Sequence, residues 1–251
     1  MPGDRPGEYI LPVTKPATVG PDEFPFVMGG TGFAAAIDSL QQECDQRLLW
    51  ATIQFLSPTQ GVDELTIDCQ QIGGGQTIGQ WSAQTRAGER MVHNISAALG
   101  TRERDADHIF AQMPDVPMPD DCEEKPADLN GSPGNLIGQF ERRIAMENAV
   151  NGVEAAWVRP RGGFPLHAPI LALISDFFLG AHPRTRTGTS IDATFRFIQP
   201  ADHGWVLSVT EMAAFDRGTV SGSARHFAQD GRLLAISSQT GVLPRIPLSA
   251  Q

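Results

Sequence analysis

Two stretches of this chain follow one order of elements, and that repetition constrains the fold more than any other feature. The first begins MGGTGFAAAIDSLQQEC and continues LLWATIQFLSP, ELTIDCQQI and TIGQWSAQTRAGERMVHNISAALG. The second begins PLHAPILALISDFFLG and continues TSIDATFRFIQP, WVLSVTEMAAF and TVSGSARHFAQDGRLLAISSQTGVL. Each reads as a helix, a strand closed by an apolar residue, a polar residue and proline, a second strand, and a hairpin turning at Ala87-Gly88 or Asp230-Gly231. An internal duplication is the simplest account.

The periodicities support those elements. Phe33, Ile37, Leu40 and Cys44 fall on one stripe of a helix, with Asp38, Gln41, Gln42 and Glu43 on other sides. Ile170, Ile174 and Phe177 repeat the spacing, but Leu171, Ala172, Leu173, Phe178 and Leu179 fill nearly every other side, so the second helix is expected to be enclosed by protein. Pro169 suits its first turn, where no N–H is needed. FERRIAMENAV and VEAAWVRP read as a pair of strands ahead of that helix; EYILPV and DEFPFVMGG form a shorter preface to the first. Between the repeats, TRERDADHIFAQMPDVPMPDDCEEKPADLNGSPG is rich in Pro, Asp and Glu, lacks a sustained period and reads as a linker. The expected division is a unit over residues 1–105, a linker over 106–135 and a unit over 136–251.

Within the enclosed helix stands Asp176. An unpaired buried carboxylate costs several kcal/mol, so the chain must satisfy it or use it. Aligning Phe33 with Ile170 sets an offset of 137 residues and carries Asp176 onto Ser39; aligning Pro58 with Pro200 sets 142, so the second unit holds about five extra residues between helix and strand. On the same basis Gln239 falls on Ser96 or Ala97. The scaffold therefore does not demand a carboxylate at this place. The residue alone admits two readings, a structural carboxylate tying elements together or a base in an apolar pocket, where desolvation raises its pKa.

Other features narrow the function. The 251 residues carry a formal charge of −10, which excludes general affinity for nucleic acid or anionic membrane. The N-terminus lacks the pattern of a signal peptide, and Ala168 to Leu179 is too short and too interrupted for a membrane span, so no membrane insertion is expected. Cys44, Cys69 and Cys122 lie far apart, which fits neither a zinc site nor a disulfide framework and makes a reduced, cytoplasmic setting the default. The six histidines are scattered, the run DADH lies in the linker, and no metal or other cofactor is expected. Gly73 to Gly75 sits between two strands with no following lysine or helix and reads as a turn or bulge, not a phosphate loop. Arg159 and Arg161 precede the second helix; Arg184 and Arg186 follow it in the longer loop, a local basic cluster on an acidic protein.

These motifs, taken in order, resemble the acyl-CoA thioesterase II family, the TesB-like thioesterases. The likeness rests on the MGG opening, the FLSP and FIQP strand ends, WVRPRG, the Ser-Asp pair in LHAPILALISDFFLG, SIDATFRFIQP and DGRLLAISSQTGVL, and it spans both halves. It implies an α+β double hotdog, two tandem units each with a curved antiparallel sheet wrapped around a central helix. It implies hydrolysis of fatty or related acyl-CoA to free acid and CoA. The family's catalytic aspartate falls on Asp176, its glutamine on Gln239, and its threonine on Ser190, which keeps the hydroxyl; the group would together hold and activate a water. Two departures bear on the substrate: the family's strand histidine is Ala193 here, and its His-Arg-Pro ending is Ile198-Gln199-Pro200.

The chemistry suits these residue types, since thioester hydrolysis needs a water, a base and donors for an oxyanion. Gly29 and Gly30 at the first helix start are candidates for those donors. Arg184 and Arg186 suit the phosphates of CoA. By analogy with other double hotdogs, a homodimer or higher homo-oligomer is expected. The competing functions are an acyl-CoA-binding hotdog protein without activity and a hotdog hydratase or dehydratase; no SGDxNPxH-like stretch supports the last.

Overall fold

A computed structural model of the protein describes residues 1–102, 108–125 and 134–245. Among them, the first half gives β1 (Glu8–Pro12), β2 (Thr18–Val19), β3 (Phe26–Val27), α1 (Gly29–Cys44), β4 (Leu48–Phe55), β5 (Glu64–Gly74), β6 (Ile78–Ala87) and β7 (Arg90–Gly100). The second gives β8 (Glu123–Glu124), β9 (Phe140–Asn148), β10 (Val153–Pro160), α2 (Ala168–Ser175), β11 (Thr189–Phe197), β12 (Val206–Asp216), β13 (Thr219–Ala228) and β14 (Leu233–Val242). Twelve strands make one sheet in the order β1-β5-β6-β7-β4-β11-β14-β13-β12-β10-β9-β8, and β2 pairs with β3 in a separate ribbon.

That order reads alike from the β4–β11 seam outward: β7, β6, β5 and β1 on one side, β14, β13, β12 and β10 on the other. Thr52 pairs with Thr194 across the seam, and their hydroxyls lie 3.0 Å apart. These two residues are separated by 142 positions, the offset of Pro58 and Pro200. Equivalent residues that pair with each other lie on a local two-fold axis. The register also settles where Gln239 falls. Thr52 pairs with Ser96 and Thr194 with Ser238, which makes Ala97 the counterpart of Gln239. Leu48 pairs with Leu99 and Ser190 with Gly241, each past a register shift, so Leu48 is the counterpart of Ser190.

The helices carry the expected faces to the core. Phe33, Ile37 and Leu40 of α1 are buried, Cys44 packs at the edge of the same cluster, and of α2 all residues but Ile170 are buried. Burial of such side chains stabilises by about 1.5–3 kcal/mol each. The hairpins turn where glycine can take a left-handed backbone, at Gly88 (φ +57°) and Gly231 (φ +87°). Gly73 and Gly74 end β5 and Gly75 follows it, with a register shift between Gln71 and Gly73, as a bulge requires.

Two features differ from the sequence reading. The helical pattern through ISDFFLG is not one α-helix: α2 stops at Ser175 and a 3-10 helix continues over Asp176–Ala181. An all-round apolar pattern carries no trace of that change of pitch. The expected linker is also more ordered than a tether where it is described, because β8 extends the sheet beside β9. Ala111, Met113, Val116 and Cys122 pack against the cluster around Trp157 and Trp205, and the Trp157 indole donates to Pro117 O at 2.9 Å. Most of the DADH run, and residues 126–133, lie outside the described residues. Among the described residues, no helix is long and apolar enough to cross a membrane, and the three cysteines are free thiols.

Candidate active site

Helix α1 starts without a side-chain cap of its own. Its N-cap residue is Met28, which offers no acceptor. The first amides of a helix have no intrahelical partner and favour an anion. One of them is satisfied from the other half of the molecule: the Gly30 N–H donates to Asp176 Oδ2 at 2.5 Å. The helices must approach closely for this, and the two glycines allow it. A Cβ on Gly30 would lie 2.8 Å from Asp176 Cβ and 2.9 Å from Leu173 O; one on Gly29 would lie 2.5 Å from the Phe55 ring. The MGG sequence is thus a packing requirement as well as a helix start.

Two strands complete the surroundings of the carboxylate. Gln239 on β14 is buried, and its Nε2 donates both to Asp176 Oδ1 at 2.9 Å and to Ser190 Oγ at 2.5 Å. Ser190 on β11 stands beside the Asp176 carboxylate and accepts from the same amide group. Asp176, Ser190 and Gln239 are therefore brought together, as the resemblance implies. Burial pushes the Asp176 carboxyl up to about 6, against the lowering effect of the Gly30 amide, Gln239 and Ser190. At neutral pH this carboxylate is ionised yet far more basic than an exposed one. At the equivalent places the first half has Ser39, Leu48 and Ala97, all buried, and the Ser39 hydroxyl donates to Ala35 O within its own helix.

A cavity of about 600 Å³ opens onto this group. Gly29, Asp176 and Ser190 line it, whereas Gln239 stands behind them. Both Gln239 amide protons are spent on Asp176 and Ser190, so the side chain ties the two together. The Gly30 amide is likewise occupied by Asp176, whereas Gly29 lines the cavity. Apolar walls come from Phe26, Ile137, Phe140 and Phe177.

Of the predicted arginines, Arg186 lines the cavity, as does Arg161, which ion-pairs with Glu124 at 2.8 Å. Arg184 does not; it is exposed, and its backbone N–H donates to His182 Nδ1. Arg159 is bound to the buried Glu141 and lies 4.4 Å from the Trp205 ring centre. Sequence reasoning missed Lys125 and Arg142, which line the cavity and share the buried Glu154. Burial first, then the charges of Arg142 and Arg186, hold the Lys125 amine below its ordinary value, against the pull of Glu154. These three cations are thus close neighbours. Among the described residues, no cluster of three or more His, Cys, Asp or Glu is arranged to hold a metal ion.

Residues 119–243 match the family model of the acyl-CoA thioesterase C-terminal domain. The chain resembles the TesB-like thioesterases. A structure from Novosphingobium aromaticivorans, provisionally described as a thioesterase, is similar over 97% of this chain and 98% of its own, with a TM-score of 0.90 and 27% identity. Acyl-CoA thioesterase II TesB2 from Mycobacterium marinum matches over 98% and 96%, with a TM-score of 0.78 and 17% identity. A hot dog fold protein from Alicyclobacillus acidocaldarius matches over 96% and 94%, with a TM-score of 0.79 and 19% identity. No curated protein matches the chain. The chain thus has a hotdog fold, built on a large antiparallel sheet with few helices.

Proposed function

We propose that the protein hydrolyses the thioester of acyl-CoA, with Asp176 as general base. The observation that carries this reading is the Asp176 carboxylate, raised to about 6 by burial, held at both oxygens and open to a cavity that also gathers three neighbouring cations. Water beside Asp176 and Ser190 attacks the thioester carbonyl carbon while Asp176 takes its proton. The carbonyl oxygen gains the negative charge and accepts from the Gly29 N–H, which begins α1 and benefits from the positive end of that helix. Collapse of the tetrahedral species breaks the C–S bond, and the proton passes from Asp176 to the departing thiolate. Gln239 and the Gly30 N–H fix the carboxylate throughout. Lys125, Arg142 and Arg186 suit the phosphates of CoA.

In this reading the chain is a double hotdog, with units over 1–105 and 136–251 related by the axis at the β4–β11 seam, residues 106–135 connecting them, and only the second carrying the charged machinery. A homo-oligomer is part of the proposal.

Thiol release from a panel of acyl-CoAs tests the function, with enoyl-CoA hydration measured in parallel. The kcat/KM for release is expected to fall tenfold per pH unit below about 6 and to be level above it, because only the ionised form of Asp176 accepts a proton. Absence of release, or a profile flat down to pH 4.5, would overturn the assignment; hydration without release would favour a hydratase. A second expectation separates the two loop arginines. Arg186→Gln is expected to raise KM for acyl-CoA threefold or more with kcat changed less than twofold, while Arg184→Gln leaves KM where it was; equal effects of the two would remove Arg186 from the CoA site.

A further inference from the structure

One polar side chain in the cavity takes no part in the steps above. His93 on β7 is only 3% exposed, and it lines the cavity together with Gly29 and Asp176. Its cross-strand neighbours are Phe55 of β4 and Thr85 of β6. The Phe55 ring meets it edge-on, 5.6 Å between centres at 89°. On its helix side it rests against Gly32, where a Cβ would come within 2.3 Å of His93 Cε1. The ring is therefore clamped. Among the described residues, His93 Nδ1 and Thr85 Oγ1 are both buried without a hydrogen-bond partner. Burial holds the imidazole down at about 4, so it stays neutral and offers one N–H and one lone pair. A buried polar group left unpaired is destabilising, and a phenylalanine would fill the same space without that cost.

The placement of the cavity's other groups says what reaches His93. Lys125 and Arg142 stand at the β8–β9 edge of the sheet, while His93 lies on the opposite side of the β4–β11 seam. With the phosphates at the cations and the thioester at Asp176, the acyl group extends toward the first half. Gly29 and Gly32 are separated by about 4.5 Å along the helix axis at 1.5 Å per residue. His93 therefore meets the acyl group within a few bonds of the thioester carbon.

We propose that His93 is a specificity residue that hydrogen-bonds a hydroxyl or carbonyl oxygen near the thioester, so that the preferred substrates are oxygenated acyl thioesters, as in 3-hydroxyacyl or 3-oxoacyl groups, over plain alkyl chains. The inference rests on the proposed acyl-CoA reading for the placement of the thioester. A site built around a buried polar group discriminates against an analogue that leaves the group unpaired.

The test compares 3-hydroxyoctanoyl-CoA with octanoyl-CoA in two ways: kcat/KM for thiol release, and Kd for the corresponding non-hydrolysable thioether analogues. In the wild type both ratios are expected to favour the hydroxylated chain at least tenfold. His93→Phe, its folding checked by thermal melting, is expected to bring the ratios to about one, and His93→Gln, which restores a donor, to recover most of the preference. A wild-type preference below twofold overturns the proposal whether or not the variants fold. So does a His93→Phe protein that keeps the preference, the outcome expected if His93 is held only by internal contacts. If neither ester is hydrolysed, the hydrolase reading falls, and the Kd ratio alone decides on His93.

Discussion

Replacing Asp176 by asparagine is expected to lower kcat/KM for acyl-CoA by about 10³-fold, within the range for losing a general base, and at the same time to stabilise the protein at pH 8. The second effect follows from the direction of the shift. Asp176 titrates at about 6 in the fold and near 3.8 when unfolded, so its ionised form is disfavoured by folding. Its contribution is therefore most favourable below about pH 4, declines as pH rises through 6, and is absent above. At about 1.4 kcal/mol per pH unit the charge destabilises the fold by up to about 3 kcal/mol, and cavity solvent reduces that figure. Asparagine presents an oxygen to the Gly30 N–H and an amide that a flipped Gln239 accepts, so a gain of about 1–2 kcal/mol is expected in denaturant unfolding at pH 8. The gain should vanish near pH 4. An asparagine variant less stable than wild type at pH 8, or one with an undiminished rate, contradicts the account of this residue.

The other large effect is expected at Gly30. Gly30→Ala places a methyl group 2.8 Å from Asp176 Cβ and 2.9 Å from Leu173 O, distances that require the helices to move apart. Overpacking of this kind costs about 1–3 kcal/mol. The same movement draws the carboxylate from the amide that fixes it, and displacement by about 1 Å costs on the order of 10²-fold in rate. Both a lower melting temperature and a kcat at least tenfold down are expected, with KM less affected. Gly75→Ala is the control, because no atom lies within 4 Å of its added methyl group. A Gly30→Ala enzyme with normal kcat would mean that the contact between α1 and Asp176 does not position the base.

The parts of this molecule that were legible in the sequence are those on which the two halves could be compared. The elements repeat with offsets of 137 and 142, so the strand and helix patterns corroborated one another, and Asp176 stood out because Ser39 occupies its counterpart. What depended on register was not legible: the choice between Ser96 and Ala97 opposite Gln239 needed the β4–β7 and β11–β14 pairings. Features outside the repeat were also missed. Arg142 and Lys125 reach the cavity from β9 and the residue after β8, strands added beyond the duplicated set, and nothing in FERRIAMEN or CEEKP announces an inward direction. His93 sits in the apolar alternation of a strand, where a single histidine cannot be told from an ordinary core residue. The change from α to 3-10 geometry at Asp176 leaves the hydrophobic pattern unaltered and is invisible for that reason.

The paired hydroxyls of Thr52 and Thr194 bear on why the halves are joined at all. In an assembly of two identical subunits, every substitution appears on both sides of the axis. A carboxylate introduced at one helix end would be introduced at the other, and the fold would bear two buried charges. Covalent linkage removes that constraint: the place with Ser39, Leu48 and Ala97 stays uncharged, and the charged helix end is confined to one location.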